Sequence, residues 1–277
     1  MKRYPALLCS ADRDSLDMLI ARSSMLPTTG ILDNDYDLVL YFNEGELSDE
    51  IVEQIRSWLP VGSHVERSEV EEQNWNAEFE KSLEPIAISD RLTISQSWND
   101  APAVEGAMVV VIDPKMSFGT GHHESTRLIA RLQIDLEMTG KRVLDIGTGT
   151  GVLAIIAALS GASVVVAFDN NEWAVENTRE NIALNNVEGR IDVIEGELSD
   201  VTKTGFDIVL ANLHRNLIIE LLPEIAARIA APAGTLLTSG VLIVDYDGLI
   251  EAAAEVGLAP VAEERENDWV ATRWERG

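Results

Sequence analysis

A chain of 277 residues with 46% apolar content has room for two domains, or one large domain with an appendage, and is too hydrophobic to remain disordered. Its net charge of −26 repels phosphate backbones and anionic lipid, so neither nucleic acid nor a membrane is expected as the main partner. The one cysteine, Cys9, excludes an intrachain disulfide and a multi-cysteine metal site; no apolar run reaches the ~20 residues that span a bilayer and Met1 to Ser10 lacks a leader pattern, so a cytoplasmic enzyme is expected.

The first seventy or so residues read as a small α/β unit. Tyr4 to Cys9 is a strand, with Cys9 beside Leu8 as a small core residue. Asp12 to Leu26 carries Leu16, Leu19 and Ile20 at helical spacing, with Ser10 or Asp12 as N-cap, and Pro27-Thr28-Thr29-Gly30 breaks it. Asp37 to Phe42 is a strand, Ser48 to Leu59 a helix with an acidic first turn, and His64 to Val70 a closing strand. The order strand, helix, two strands, helix, strand is ferredoxin-like, over residues 1–70. Residues 71–84 read as a polar linker helix, with Trp75, Phe79 and Leu83 as one apolar stripe that docks on a neighbouring domain.

From residue 85 the texture changes. Arg91 to Trp98 and Met108 to Asp113 read as strands, followed by the turn-rich Ser117-Phe118-Gly119-Thr120-Gly121 and a helix through about Met138. Strands then alternate with helices. The strands are Arg142 to Ile146, Ser163 to Phe168, Ile191 to Ile194, Phe206 to Leu210 and Gly234 to Thr238. The helices are Val152 to Leu159, Glu172 to Leu184, Leu217 to Ala230 and Val244 to Val256. Such alternation predicts an α/β fold, a parallel sheet wound on both faces, over residues 85–277. Val261 to Glu266 and Trp269 to Trp274, joined by Asn267-Asp268, close it as an antiparallel hairpin.

The chemistry concentrates on Asp145-Ile146-Gly147-Thr148-Gly149-Thr150-Gly151, between a buried strand and a helix. Glycines there let backbone amides approach a ligand, and the tip of the first strand of an open parallel sheet is where ligands bind. The spacing is G-x-G-x-G rather than the dinucleotide G-x-G-x-x-G, and Asp145 precedes it by two. A carboxylate disfavours a pyrophosphate and suits the positive sulfonium and amino groups of S-adenosylmethionine, which Asp145 would bind directly or through water. Asp169, twenty-two residues beyond Gly147 at the end of the second strand, is placed to accept both ribose hydroxyls. Asn212, in Ala211-Asn212-Leu213-His214 at the fourth strand tip, offers an acceptor and a donor beside the reacting centre.

These residues, with Asp113-Pro114-Lys115-Met116-Ser117-Phe118-Gly119-Thr120-Gly121-His122-His123-Glu124-Ser125-Thr126 and the late Ser239-Gly240-Val241-Leu242 and Asp268-Trp269-Val270-Ala271, resemble the bacterial PrmA family over roughly residues 72–277. That family methylates ribosomal protein eleven of the large subunit. The resemblance implies a seven-stranded class I (Rossmann-like) methyltransferase domain joined by a flexible linker to a ferredoxin-like substrate-recognition domain. It implies S-adenosylmethionine as cofactor and methylation of lysine ε-amino groups and the N-terminal α-amino group. Its cofactor positions fall on Thr126, Gly147, Asp169 and Asn212, and Phe118 and Gly119 match the loop that covers the cofactor. Two departures stand out: Gly-Thr-Gly-Thr-Gly where many members have Gly-Cys-Gly-Ser-Gly, and Asn212-Leu213-His214-Arg215 where Asn-Ile-Leu-Ala is commoner.

On this reading Asn212 and nearby carbonyls aim the amine lone pair at the methyl group, and desolvation lowers the lysine pKa from its usual ~10.4. His214 is a candidate base whose plainer role is to cap a helix; His122 and His123 read as loop-stabilising rather than as metal ligands, so no metal is expected. The expected partner is a free ribosomal protein, met by a monomer whose two domains reorient to reach several amines. Two rivals stay open: a class I methyltransferase with another protein or a small molecule as substrate, and a nicotinamide-dependent oxidoreductase or non-catalytic nucleotide-binding module.

Overall fold

A computed structural model describes residues 3–34, 36–71, 83–99 and 106–276. The chain forms two compact units, residues 1–75 and 76–277. The linker helix expected over 71–84, with Trp75 and Phe79, lies almost wholly outside the described residues.

In the first unit β1 (Arg3–Ser10), α1 (Arg13–Arg22), β2 (Thr28–Asp33), β3 (Asp37–Phe42), α2 (Asp49–Trp58) and β4 (His64–Glu71) follow the ferredoxin-like order. The antiparallel sheet runs β2-β3-β1-β4. Asp12 starts α1 by accepting from the Ser15 amide at 3.0 Å, and Ser48 starts α2 by accepting from that of Ile51 at 3.3 Å. Alternation along β3 buries Leu38, Leu40 and Phe42 against Leu16, Leu19 and Ile55. Cys9 is buried among them, and burial pushes its thiol up to about 12. The expected helix to Leu26 stops at Arg22 and passes through a tight turn, Ser23–Met25. The chain then enters β2 over the very residues read as a breaker. β2 is an edge strand with little buried surface, so it carries no apolar alternation to mark it.

The second unit opens with a three-stranded sheet of β5 (Ile86–Ser89), β6 (Leu92–Ser95) and β7 (Met108–Val111). There follow α3 (Glu124–Ile134), β8 (Arg142–Ile146), α4 (Val152–Leu159), β9 (Val164–Asp169), α5 (Glu172–Leu184) and β10 (Ile191–Glu195). The chain continues through β11 (Ile208–Asn212), α6 (Arg215–Arg228), β12 (Thr235–Leu242), α7 (Tyr246–Glu255), β13 (Leu258–Glu266) and β14 (Trp269–Arg276). The seven-stranded sheet runs β10-β9-β8-β11-β12-β14-β13, with β14 antiparallel to both neighbours and the other pairs parallel. Val143 and Val165 face one apolar layer and Leu144 and Val166 the other, as a doubly wound sheet requires. Strand order reverses between β8 and β11, which opens a crevice beyond their carboxyl ends. Among the described residues no helix is long and apolar enough to cross a membrane.

One face of α5 sets the loop after β7. Asn185, just past the helix, pairs with both backbone groups of Val111, at 2.9 and 2.6 Å. Asn181 accepts from the Asp113 amide at 2.9 Å and donates to the Asp113 and Thr150 carbonyls at 3.2 and 2.9 Å. Asn177 donates to the Asp113 carbonyl at 2.8 Å. Three amides four residues apart thus replace a missing neighbour strand and satisfy backbone groups that would otherwise be buried unpaired. Asn181→Ala should lower unfolding free energy by about 2–4 kcal/mol, because it strands buried polar groups; urea unfolding measures this, and a loss below about 0.5 kcal/mol would show that water replaces the amide.

Candidate active site

The glycine turn is shaped by a loop that crosses it. Gly147 and Gly149 have φ of 65° and 58°. A Cβ on Gly149 would lie 2.3 Å from the Phe118 carbonyl oxygen, and one on Gly147 would lie 2.6 Å from Leu213 Cδ2. The Phe118 carbonyl instead accepts from the Thr150 amide at 2.9 Å, while Thr150 Oγ1 donates to the Gly119 carbonyl at 2.9 Å. Thr178 Oγ1 holds the turn from below through the Gly149 carbonyl, at 2.8 Å. Phe118, Gly119, Gly147 and Gly149 are therefore brought together at one corner of the sheet.

The two acids part company. Asp145 is 1% exposed; its Oδ2 accepts from Thr148 Oγ1 at 2.7 Å, and the Ala154 backbone also bonds it. It does not itself line the cavity, where the sequence expects it to bind the ligand directly or through water, and its hydrogen bond to Thr148 holds it against the turn. Burial pushes its carboxyl up to about 7, opposed by its hydrogen bonds and aided slightly by nearby Asp169. Asp169 does line the cavity. Its Oδ2 accepts from the Gly149 amide and its Oδ1 from that of Asn171, each at 3.0 Å, which fixes the carboxylate beside the turn.

Across the cavity, Asn212 ends β11. Its Nδ2 donates to Oγ1 of buried Thr126 at 3.3 Å, which orients the amide. Its Oδ1 is buried with no hydrogen-bond partner among the described residues. A Cβ on Gly240 would crowd that oxygen at 3.3 Å and the Leu213 carbonyl at 2.5 Å. The acceptor atom is thus kept clear on the protein side and left unused, a costly arrangement unless something outside the protein donates to it.

Two of the histidines cap helices. His214 Nδ1 accepts from the Leu217 amide at 3.2 Å, capping α6. His123 Nδ1 accepts from that of Ser125 at 3.1 Å, capping α3. Each neutral ring then carries its hydrogen on Nε2 and presents a donor. His122 Nε2 bonds to the Glu84 carbonyl at 3.1 Å.

These groups surround a cavity of about 1090 Å³. Phe168, Asp169 and Trp173 line one side; Asn212, Leu213, Gly240 and Trp269 line the other. That exceeds the usual range for one small ligand, about 300–1,000 Å³, and leaves room for a second group. Sequence reasoning missed Thr150, Thr178 and the Asn177–Asn181–Asn185 face, whose four-residue spacing was readable, and missed Trp269 and His123 as cavity walls.

A family model described as "Ribosomal protein L11 methyltransferase (PrmA)" matches residues 12–276. The ribosomal protein L11 methyltransferase of Chlorobaculum tepidum is 37% identical over 268 residues, covering 94% of this chain and 92% of that protein. That of Bacteroides fragilis is 40% identical over 210 residues, covering 75% of this chain and 74% of that protein. The crystal structure of ribosomal protein L11 methylase from Lactobacillus delbrueckii subsp. bulgaricus superposes with a TM-score of 0.65 at 27% identity, covering 70% of this chain and 99% of that one.

The raised Asp145 carboxyl gives a pH signature. Its folded value, about 7, lies above the ordinary 3.8, so the cost of burying its charge is fully present above pH 7 and fades as pH falls toward 4. Without ligand, the wild type should therefore gain stability relative to Asp145→Asn as pH falls through about 7. Urea unfolding of both proteins between pH 8 and pH 5 measures the difference; a constant difference would place the titration elsewhere.

Proposed function

The chain belongs to the ribosomal protein L11 methyltransferase (PrmA) family, and on that premise we propose that its cleft binds S-adenosylmethionine and passes methyl groups to lysine ε-amino groups and the N-terminal α-amino group of ribosomal protein L11. The observation that carries this reading is Asn212, whose Oδ1 is buried without a partner among the described residues, lining the same cavity as the glycine turn and the Asp169 carboxylate. The residues fit the cofactor. Asp169 would take the ribose hydroxyls, the Gly147–Gly149 backbone would lie against the nucleoside with Asp145 supporting it from below, and Phe118 and Gly119 would cover it. Thr126 contributes by holding Asn212. The Asp169 carboxylate in the lining opposes a pyrophosphate, which disfavours a nicotinamide dinucleotide in the same corner. When bound, S-adenosylmethionine supplies a methyl carbon that is already electrophilic, being attached to a positively charged sulfur.

The protein's part is then alignment and desolvation. Asn212 Oδ1 accepts an N–H of the neutral amine and so turns its lone pair toward the reacting carbon. Leu213 excludes water and disfavours the ammonium form, which lowers the amine pKa from its usual ~10.4. With His214 presenting a donor, the proton leaves to water rather than to a side chain. The first unit, with its own core, selects the protein substrate in this reading. The acidic surface attracts basic chains, and the enzyme works in the cytoplasm as a monomer on the free ribosomal protein.

Two measurements test this. Asp169→Ala should weaken S-adenosylhomocysteine binding about 10- to 100-fold by calorimetry, as expected for loss of charge-assisted hydrogen bonds; unchanged affinity would remove Asp169 from the site. Incubation of the enzyme with methyl-labelled cofactor and purified large-subunit ribosomal proteins should label L11. Label on another protein, or on none, would overturn the substrate assignment.

A further inference from the structure

Beside Asn212, one wall of the cavity is aromatic. Phe118 comes from the loop after β7, His123 immediately precedes α3, and Trp269 opens β14. Their rings form a continuous run: Phe118 and His123 have centroids 5.3 Å apart at 60°, and His123 and Trp269 are 4.7 Å apart, edge to face at 72°. All three line the cavity.

Strand register puts this wall near Asn212. Asn212 pairs with Ser239 across β11 and β12, and Trp269 pairs with Leu242 across β12 and β14. Ser239 Oγ donates to the Ser125 carbonyl at 2.8 Å, two residues beyond His123. The wall is also braced. Arg127 and Arg131 bond to Glu266 at 2.5 and 2.8 Å, and Asn267 donates to Glu124 at 2.9 Å, so the hairpin turn that presents Trp269 is tied to α3. The Arg127 guanidinium holds the Glu266 carboxyl below its ordinary range, which keeps the brace charged. Phe118, by contrast, is 54% exposed at the mouth, although its backbone is fixed to Thr150.

We propose that Asn212 and this aromatic wall divide successive methyl transfers to one nitrogen between them: Asn212 orients an amine that still has an N–H, and Trp269 with Phe118 holds a nitrogen that has lost its last one. The proposal rests on the methyltransferase reading. Each transfer forms a nitrogen–carbon bond as a carbon–sulfur bond breaks, with that bond's electron pair going to sulfur. The nitrogen becomes cationic and loses one proton to water at the open mouth before it can react again. A primary or singly methylated amine can donate to Asn212 Oδ1. A neutral dimethylamine cannot, so at the third transfer Asn212 has no grip. Ring faces take over, since they accept methyl groups by contact and attract a methylated ammonium through their negative π surface. Trp269 and Phe118 thereby set how far methylation proceeds.

The test follows methyl states on each amine over time by mass spectrometry, in the wild type, Trp269→Leu, Phe118→Leu and Asn212→Ala. Both ring variants should slow the third transfer at least about fivefold more than they slow the first, accumulating dimethylamine. Asn212→Ala should slow the first transfer at least as much as the third. Independently of turnover, calorimetry with S-adenosylhomocysteine present should show N-acetyl-trimethyllysine amide binding about fivefold or more tighter than N-acetyl-lysine amide, a preference lost in Trp269→Leu. Equal slowing of all three transfers in Phe118→Leu, whose exposed ring can change without unfolding the chain, would overturn the proposal. So would an unchanged distribution of methyl states in both ring variants, or equal binding of the two amides to the wild type. A wild type that labels no amine while still preferring the trimethylated amide would sink the methyltransferase reading and leave the wall's affinity for methylated nitrogen standing.

Discussion

The site depends on one backbone contact, the Phe118 carbonyl resting where Gly149 has no side chain and accepting from the Thr150 amide. Through it the loop from the small sheet is seated on the tip of the large one. The same loop carries Phe118 to the cavity mouth and leads directly into His123 and α3, which supports Asn212 through Thr126. A side chain at position 149 would displace the loop, and with it the aromatic wall and the orientation of Asn212. The asparagine face of α5 exists to keep that loop at the right height, since it holds Asp113 on one side and the Thr150 carbonyl on the other.

Charge is distributed with the same economy. Of the two acids near the turn, Asp145 is buried beneath it and Asp169 lines the cavity. A second ionised carboxylate facing the ligand would raise the repulsion between the two. Placing one below, among a hydroxyl and a helix amide, lets it stiffen the turn while burial itself disfavours its charged form. Asp169 is held by two amides, so it meets a ligand already oriented.

Much of this was legible in the residues because the features involved have few alternative explanations. A glycine run between an apolar strand and a helix, and an acid at the end of the next strand, announce a backbone-lined ligand corner. The seven-strand alternation follows from apolar runs buried on both faces. The parts that escaped carry ordinary residues in ordinary patterns. Trp269 reads as one more hairpin aromatic, because period-two alternation does not say which face meets a cavity. Asn177, Asn181 and Asn185 read as the polar side of a helix. β2 had no apolar alternation to betray it, being at an edge. The burial of Asp145 against Thr148 escaped too, since sequence gives proximity along the chain and not the direction of a side chain.

The antiparallel insertion of β14 between β12 and β13 has a further consequence, for biosynthesis. A ribosome that has delivered the chain only as far as α7 has made five parallel strands with β12 as a bare edge. Thr238 then lacks the Trp274 indole that bonds it at 2.8 Å, and the cavity lacks Trp269. Glycine turn, Asp169, Asn212, Leu213 and Gly240 are all present by that stage, and Trp269 is the lining residue still to come. The last hairpin therefore adds Trp269 to a pocket whose other lining residues have already been made, and pairs the edge of β12 at the same step.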